Sequence, residues 1–128
     1  MVVIAAALCV AGAVAAWQVL GARKPAPAVP YTLLEGSQNS IAAQRGKVLL
    51  VNFWATSCVA CVAEMPQIAS THRKFTSRGY ETVAVAMDYD QPASVARFAQ
   101  SRALPFSVAF DKSGEVARAF GDVKLTPT

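Results

Sequence analysis

The 128-residue chain carries a formal net charge of +4 and three cysteines, a size that allows a single domain. Its basic residues are interleaved with acidic ones, with no Lys/Arg block and no aromatic stripe. That pattern describes a solvated surface and does not suggest nucleic-acid binding.

From Val2 to Leu20 there is no charged side chain, and Ala and Val dominate. Nineteen residues at helical rise span about 28 Å, close to the hydrocarbon thickness of a bilayer. Residues 1–20 are therefore expected to be a signal anchor or a signal peptide, with small residues at Ala11 to Ala16 that suit a peptidase. No Lys or Arg precedes the run, and Arg23 and Lys24 follow it. This departs from the usual charge pattern, and the expectation is a true start further upstream or a weak anchor. Cys9 inside the run has no partner in register and reads as a small apolar filler. Residues 21–30, G-A-R-K-P-A-P-A-V-P, form a Pro/Ala spacer, stiff and extended.

The folded part is expected over residues 31–128. Y-T-L-L suggests a short strand, and E-G-S-Q-N-S a turn. Lys47 to Trp54 is nearly continuous in apolar residues, as in a parallel strand buried on both faces. A helix is predicted from about Cys58 towards Ser77, with Pro66 inside it as a kink. Glu81 to Met87 makes a second strand, and Val95 to Arg102 lies in a second helix whose start signal is Asp90-Gln91-Pro92. Phe106 to Phe110 is a third strand, closed by the turn D-K-S-G, and Glu115 to Phe120 is a short helix. Strands alternating with helices predict a parallel α/β sheet. Three strands with one end open make a thin domain, and the stop at L-T-P-T leads to the expectation of a fragment.

Cys58 and Cys61 sit one helical turn apart, where the apolar strand gives way to the helix. At that junction unpaired amides and the helix dipole stabilise a thiolate. A C-x-x-C so placed reads as thiol–disulfide redox chemistry. The other two-cysteine readings are weaker. His72 lies eleven residues beyond Cys61, about 16 Å along a helix axis, too far to share a zinc with both thiols. It is expected to be a surface or half-buried histidine. Val62 follows Cys61 where haem attachment requires His. No metal and no cofactor is expected. With one redox pair and no scattered structural pairs, the cysteine usage fits an envelope location.

The stretch Val51 to Pro66 resembles the thioredoxin superfamily, and more narrowly the membrane-anchored TlpA/ResA-like thiol–disulfide oxidoreductases. Phe53, Trp54, Ala55, Cys58 and Cys61 match F-W-A-x-x-C-x-x-C, and Glu64, Met65 and Pro66 match the E-M-P that follows. Residues 105–121 resemble the family's central insertion, and Thr126-Pro127 falls where the family places a cis-proline facing the cysteines. The resemblance implies a thioredoxin-like α/β fold with that insertion, truncated after the cis-proline position and lacking the terminal hairpin and helix. It departs at Asn52, where thioredoxin usually carries a buried Asp. The proton-relay role then passes to Glu64.

The mechanism implied has Cys58 as the attacking thiolate and Cys61 as the resolving thiol. Glu64, on the same side of the helix as Cys61 and one turn on, would exchange protons with it, its pKa raised by an apolar site. Trp54 is expected under the active-site loop, and it joins Thr126 and Pro127 as a substrate-binding position. The implied function is a periplasmic oxidoreductase acting on protein disulfides, in cytochrome c maturation or metal-centre assembly. Its implied partners are a membrane electron donor and the membrane itself, reached through the N-terminal segment. Two alternatives stand beside it: a copper-binding or metallochaperone module using the same thiols, and a non-functional fragment. Peroxidase chemistry is disfavoured because Val51 and Ala55 occupy positions where peroxiredoxins require Pro and Thr.

Overall fold

The computed structural model describes residues 25–124, together with residues 10, 12 and 14–17, which are helical and exposed. Among the described residues no helix is long and apolar enough to cross a membrane. Most of the expected anchor at 1–20, part of the spacer, Cys9, and Thr126 and Pro127 lie outside them.

Three parallel strands carry the fold: β3 (Val48–Trp54), β4 (Tyr80–Ala86) and β5 (Ser107–Phe110), in the order β3-β4-β5. Before them, β1 (Pro30–Thr32) and β2 (Gln38–Ser40) pair antiparallel, and a 3-10 turn follows at Ile41–Gln44. Helix α1 (Val59–Phe75) joins β3 to β4, α2 (Pro92–Ser101) joins β4 to β5, and α3 (Glu115–Ala119) follows β5. A single antiparallel bridge, Leu33 to Ala109, ties the chain after β1 to the outer side of β5.

Strand periodicity sorts the core into two layers. Asn52 and Trp54 lie in register with Ala84 and Ala86. Trp54 and the two alanines meet Cys61, Met65 and Ala69 of α1 and Val95 of α2. The small alanines leave room for the helices to approach the sheet. Val51 and Phe53 lie in register with Val83 and Val85, and face Tyr31, Ile41 and Val116 on the other side. Strand β4, central among the three, is buried on both faces from Thr82 to Ala86.

The structure changes several sequence expectations. β3, expected to be buried on both faces, is an edge of the three-stranded sheet and mostly half-buried, with Val48 exposed. The polar Q-N-S segment, expected within a turn, is strand β2, because its pairing with β1 is made by main-chain groups. Val29 and Pro30, expected in the spacer, belong to the fold: Val29 is buried and its carbonyl accepts a hydrogen bond from Ile41 N. Pro66 lies inside helix α1, as the sequence implied. The missing proline N–H leaves Val62 without its usual helical donor. After α1 a 3-10 turn, Thr76–Arg78, ends at Gly79, whose φ of +81° is the left-handed conformation that lets the chain turn into β4.

Candidate active site

The site stands at the carboxyl end of β3, where open α/β sheets place their functional groups. Two hydrogen bonds make the turn out of β3. Cys58 N donates to Ala55 O at 3.1 Å, and Val62 N donates to Cys58 O at 3.0 Å as the first bond of α1. Cys58 is thus the N-cap, in extended conformation, and its Sγ accepts from Cys61 N at 3.2 Å. A sulfur takes the place that Ser or Asp usually fills at a helix start.

Cys58 and Cys61 are joined in a disulfide with their Cα atoms 5.3 Å apart. Cys58 is half-buried, whereas Cys61 is buried in the α1 face of the core. Val59, directly after Cys58, is 84% exposed. The pair is therefore asymmetric: one sulfur borders solvent beside an apolar side chain, and the other lies beneath it. When the bond is reduced, a thiolate at Cys58 keeps the Cys61 N–H and the positive end of α1 within reach.

The other expected residues take up distinct settings around this turn. Trp54 is fully buried, its ring 5.1 Å from that of Phe98. It therefore supports the loop from beneath and does not face solvent, as a substrate-binding residue would. Its indole N–H has no hydrogen-bond partner among the described residues, a burial that costs about 1–3 kcal/mol. Glu64 is exposed on α1, one turn beyond Cys61. His72 is the clearest correction: only 6% exposed, it lies under Phe106 and Tyr80. Its Nδ1 is 3.3 Å from Thr82 Oγ1 and 3.9 Å from Glu81 Oε1. Among the described residues no group of three His, Cys, Asp or Glu side chains could hold a metal ion.

Sequence reasoning missed two acidic residues. Asp90, in the loop after β4, turns its carboxylate onto Thr56, two residues before Cys58. Buried Asp111, at the end of β5, accepts from Val116 N at 3.1 Å and Ala117 N at 2.9 Å, and so fixes the start of α3. Asp90-Gln91-Pro92 was legible as a helix start, but the partner of the carboxylate, 34 residues away, left no local trace.

The Redoxin family profile matches residues 21–128. The thiol-disulfide oxidoreductase ResA of Bacillus thuringiensis is 34% identical over 102 residues, which cover 80% of this chain and 58% of that protein. This chain thus spans little more than half the length of that relative. Among solved structures, a thioredoxin-family thiol:disulfide interchange protein from Chlorobium tepidum superposes with a TM-score of 0.71 at 31% identity. It covers 77% of this chain and 68% of the other. The solution structure of a candidate thioredoxin from Neisseria meningitidis gives 0.69 at 40% identity, over 75% of this chain and 64% of the other. The α/β fold described above is therefore thioredoxin-like, as the flanks of the C-x-x-C motif implied.

Proposed function

Because the chain belongs to the Redoxin family, we propose that it works as a thiol–disulfide oxidoreductase of the cell envelope that reduces disulfides in specific proteins. The observation that carries this reading is the Cys58–Cys61 disulfide at the N-terminus of α1, with Cys58 as the cap and Cys61 buried behind it.

The reaction begins from the dithiol. The Cys58 thiolate attacks one sulfur of a substrate disulfide, forms a mixed disulfide and releases the other substrate sulfur as a thiolate. Cys61, as thiolate, then attacks Cys58 Sγ. The bond to the substrate breaks, the Cys58–Cys61 disulfide forms, and two electrons have passed to the substrate. A dithiol donor associated with the membrane restores the starting state by the same exchange in reverse. Glu64, one helical turn beyond Cys61, serves in this proposal to take the Cys61 proton, through solvent given its exposure. Thr126 and Pro127 are assigned the backbone edge that receives the substrate, on the strength of the resemblance alone. Cytochrome c maturation and metal-centre assembly are the pathways proposed, and the periplasmic face of the inner membrane is the location proposed.

The test is to trap the intermediate. Cys61→Ser should hold a disulfide-containing peptide covalently at Cys58, and Cys58→Ser should trap none at the active site. Stoichiometric Cu(I) binding by a wild-type chain that exchanges no disulfide would support the metallochaperone reading instead.

A further inference from the structure

We propose that Asp90 is the positioning residue that holds Cys58 at the helix start, an inference that rests on the redox reading above. Asp90 lies in the loop after β4 and is half-buried. Its Oδ2 accepts from Thr56 N at 2.5 Å, and its Oδ1 accepts from Thr56 Oγ1 at 2.7 Å. Both oxygens of one carboxylate therefore hold one residue of the Ala55-Thr56-Ser57 turn that delivers Cys58 to its place. Hydrogen bonds to an ionised carboxylate are about twice as strong as neutral ones.

The carboxylate is placed where a helix-start residue would be expected to cap α2. The N-cap of α2 is instead Gln91, which makes no side-chain cap, and Asp90 Oδ1 also accepts from Gln91 N at 2.7 Å. The same two loops are joined in the backbone: Met87 N donates to Trp54 O at 3.0 Å, and Asp90 N donates to Met87 O at 3.1 Å. Thr56 is thus held from the side of β4, while Ala55, fully buried, holds the turn from below. Within the same turn Cys58 N donates to Ala55 O at 3.1 Å, so the position of Cys58 follows that of the residues Asp90 holds. Releasing Thr56 would let Cys58 Sγ drift from Cys61 N, and with it the stabilisation of the thiolate.

The experiment uses the reduced full chain and iodoacetamide over roughly pH 4 to 10, a range that spans the thiol pKa values seen at helix starts. Alkylation is read at the Cys58 peptide by mass spectrometry, beside the rate of disulfide exchange and a thermal melt. Asp90→Ala is expected to raise the pH midpoint of Cys58 alkylation. It should also slow exchange by roughly ten- to a hundred-fold, the scale of a small misplacement of a reacting group. Asp90→Asn keeps one acceptor oxygen for Thr56 N while its NH2 can donate to Thr56 Oγ1, at the loss of the bond from Gln91 N, and should restore part of both. Thr56→Val, which loses the hydroxyl and keeps the N–H, should fall between Asp90→Ala and wild type.

An Asp90→Ala profile that overlays wild type would overturn the proposal. So would an equal downward shift in the alanine and asparagine variants, which is the signature of lost charge and not of lost position. A rate loss accounted for by unfolded protein in the melt, with the midpoint unmoved in all three variants, would overturn it as well. A wild-type chain that exchanges no disulfide but shows the alkylation shift would sink the redox function and leave the positioning role standing.

Discussion

Cys58 Sγ accepts a hydrogen bond from Cys61 N at 3.2 Å while it is covalently bonded to Cys61 Sγ. One atom is both the cap of α1 and half of the redox pair, so helix stability and chemistry meet there and can be separated by substitution. Serine at position 58 keeps an N-cap oxygen, whereas alanine removes it. Cys58→Ser and Cys58→Ala should both abolish exchange. Compared in denaturant melts against the reduced wild type, the alanine variant should be less stable than the serine variant by about 1 kcal/mol. Equal stability of the two would show that the sulfur does not cap the helix.

Asp111 holds the first turn of α3 through Val116 N and Ala117 N, in a buried setting. Asp111→Ala leaves two backbone donors without this partner and should cost about 2–4 kcal/mol. A urea titration reads the loss as a lower midpoint at unchanged slope. A cost below 0.5 kcal/mol, the level of an ordinary surface substitution, would mean that solvent replaces the carboxylate.

His72 fills space between α1 and β4 against the rings of Phe106 and Tyr80, and meets the buried Thr82 hydroxyl. His72→Ala should destabilise by about 2–4 kcal/mol, through the cavity and the orphaned hydroxyl together. The disulfide-exchange chemistry of the protein that remains folded should be unaffected, because the partners of His72 are Thr82, Glu81, Tyr80 and Phe106, all outside the C-x-x-C turn. Loss of exchange in folded His72→Ala protein would contradict that separation.

Tyr31 supplies a pH dependence with a definite sign. Burial pushes its phenol above the ordinary value of 10.0, opposed by the hydrogen bond from Gln44, while the Glu81 charge also raises it. A proton bound more tightly in the folded state contributes stability that is complete below the unfolded pKa and is lost as pH rises through the folded one. The stability difference between wild type and Tyr31→Phe should therefore be flat below about pH 10. Above it, the wild type should lose stability relative to the variant. A difference that stays constant to pH 11 and beyond, or one that moves on the acidic side, would refute this.

What could be read in the sequence follows from how locally each feature is encoded. The apolar run into F-W-A-x-x-C-x-x-C carries its strand, its helix start and its chemistry within sixteen residues, and the structure places both cysteines where that run implied. Pro92 at the first turn of α2 was legible for the same reason. The burial of His72 was not, because the rings that cover it come from Tyr80 and Phe106, in other elements. Nor was strand β2, whose polar side chains say nothing of the backbone bonds that define it. Glu64 was read from the E-M-P match and its helical spacing, which fix the side of α1 relative to Cys61 and not the depth, and the structure leaves it exposed. Asp90 belongs with these, since two loops distant in sequence must meet before its carboxylate has a partner.

The central claim is that Cys58 and Cys61 form a reversible two-electron couple, and an equilibrium redox titration tests it most directly. The full chain is equilibrated in thiol buffers of graded poise, and free thiols at positions 58 and 61 are counted by differential alkylation and peptide mass. The account predicts that both thiols appear together, that the two directions of titration coincide, and that the midpoint follows a two-electron curve, tenfold in the equilibrium constant for every 30 mV or so. A disulfide that stays closed across the whole range, or two thiols that change independently, would contradict it.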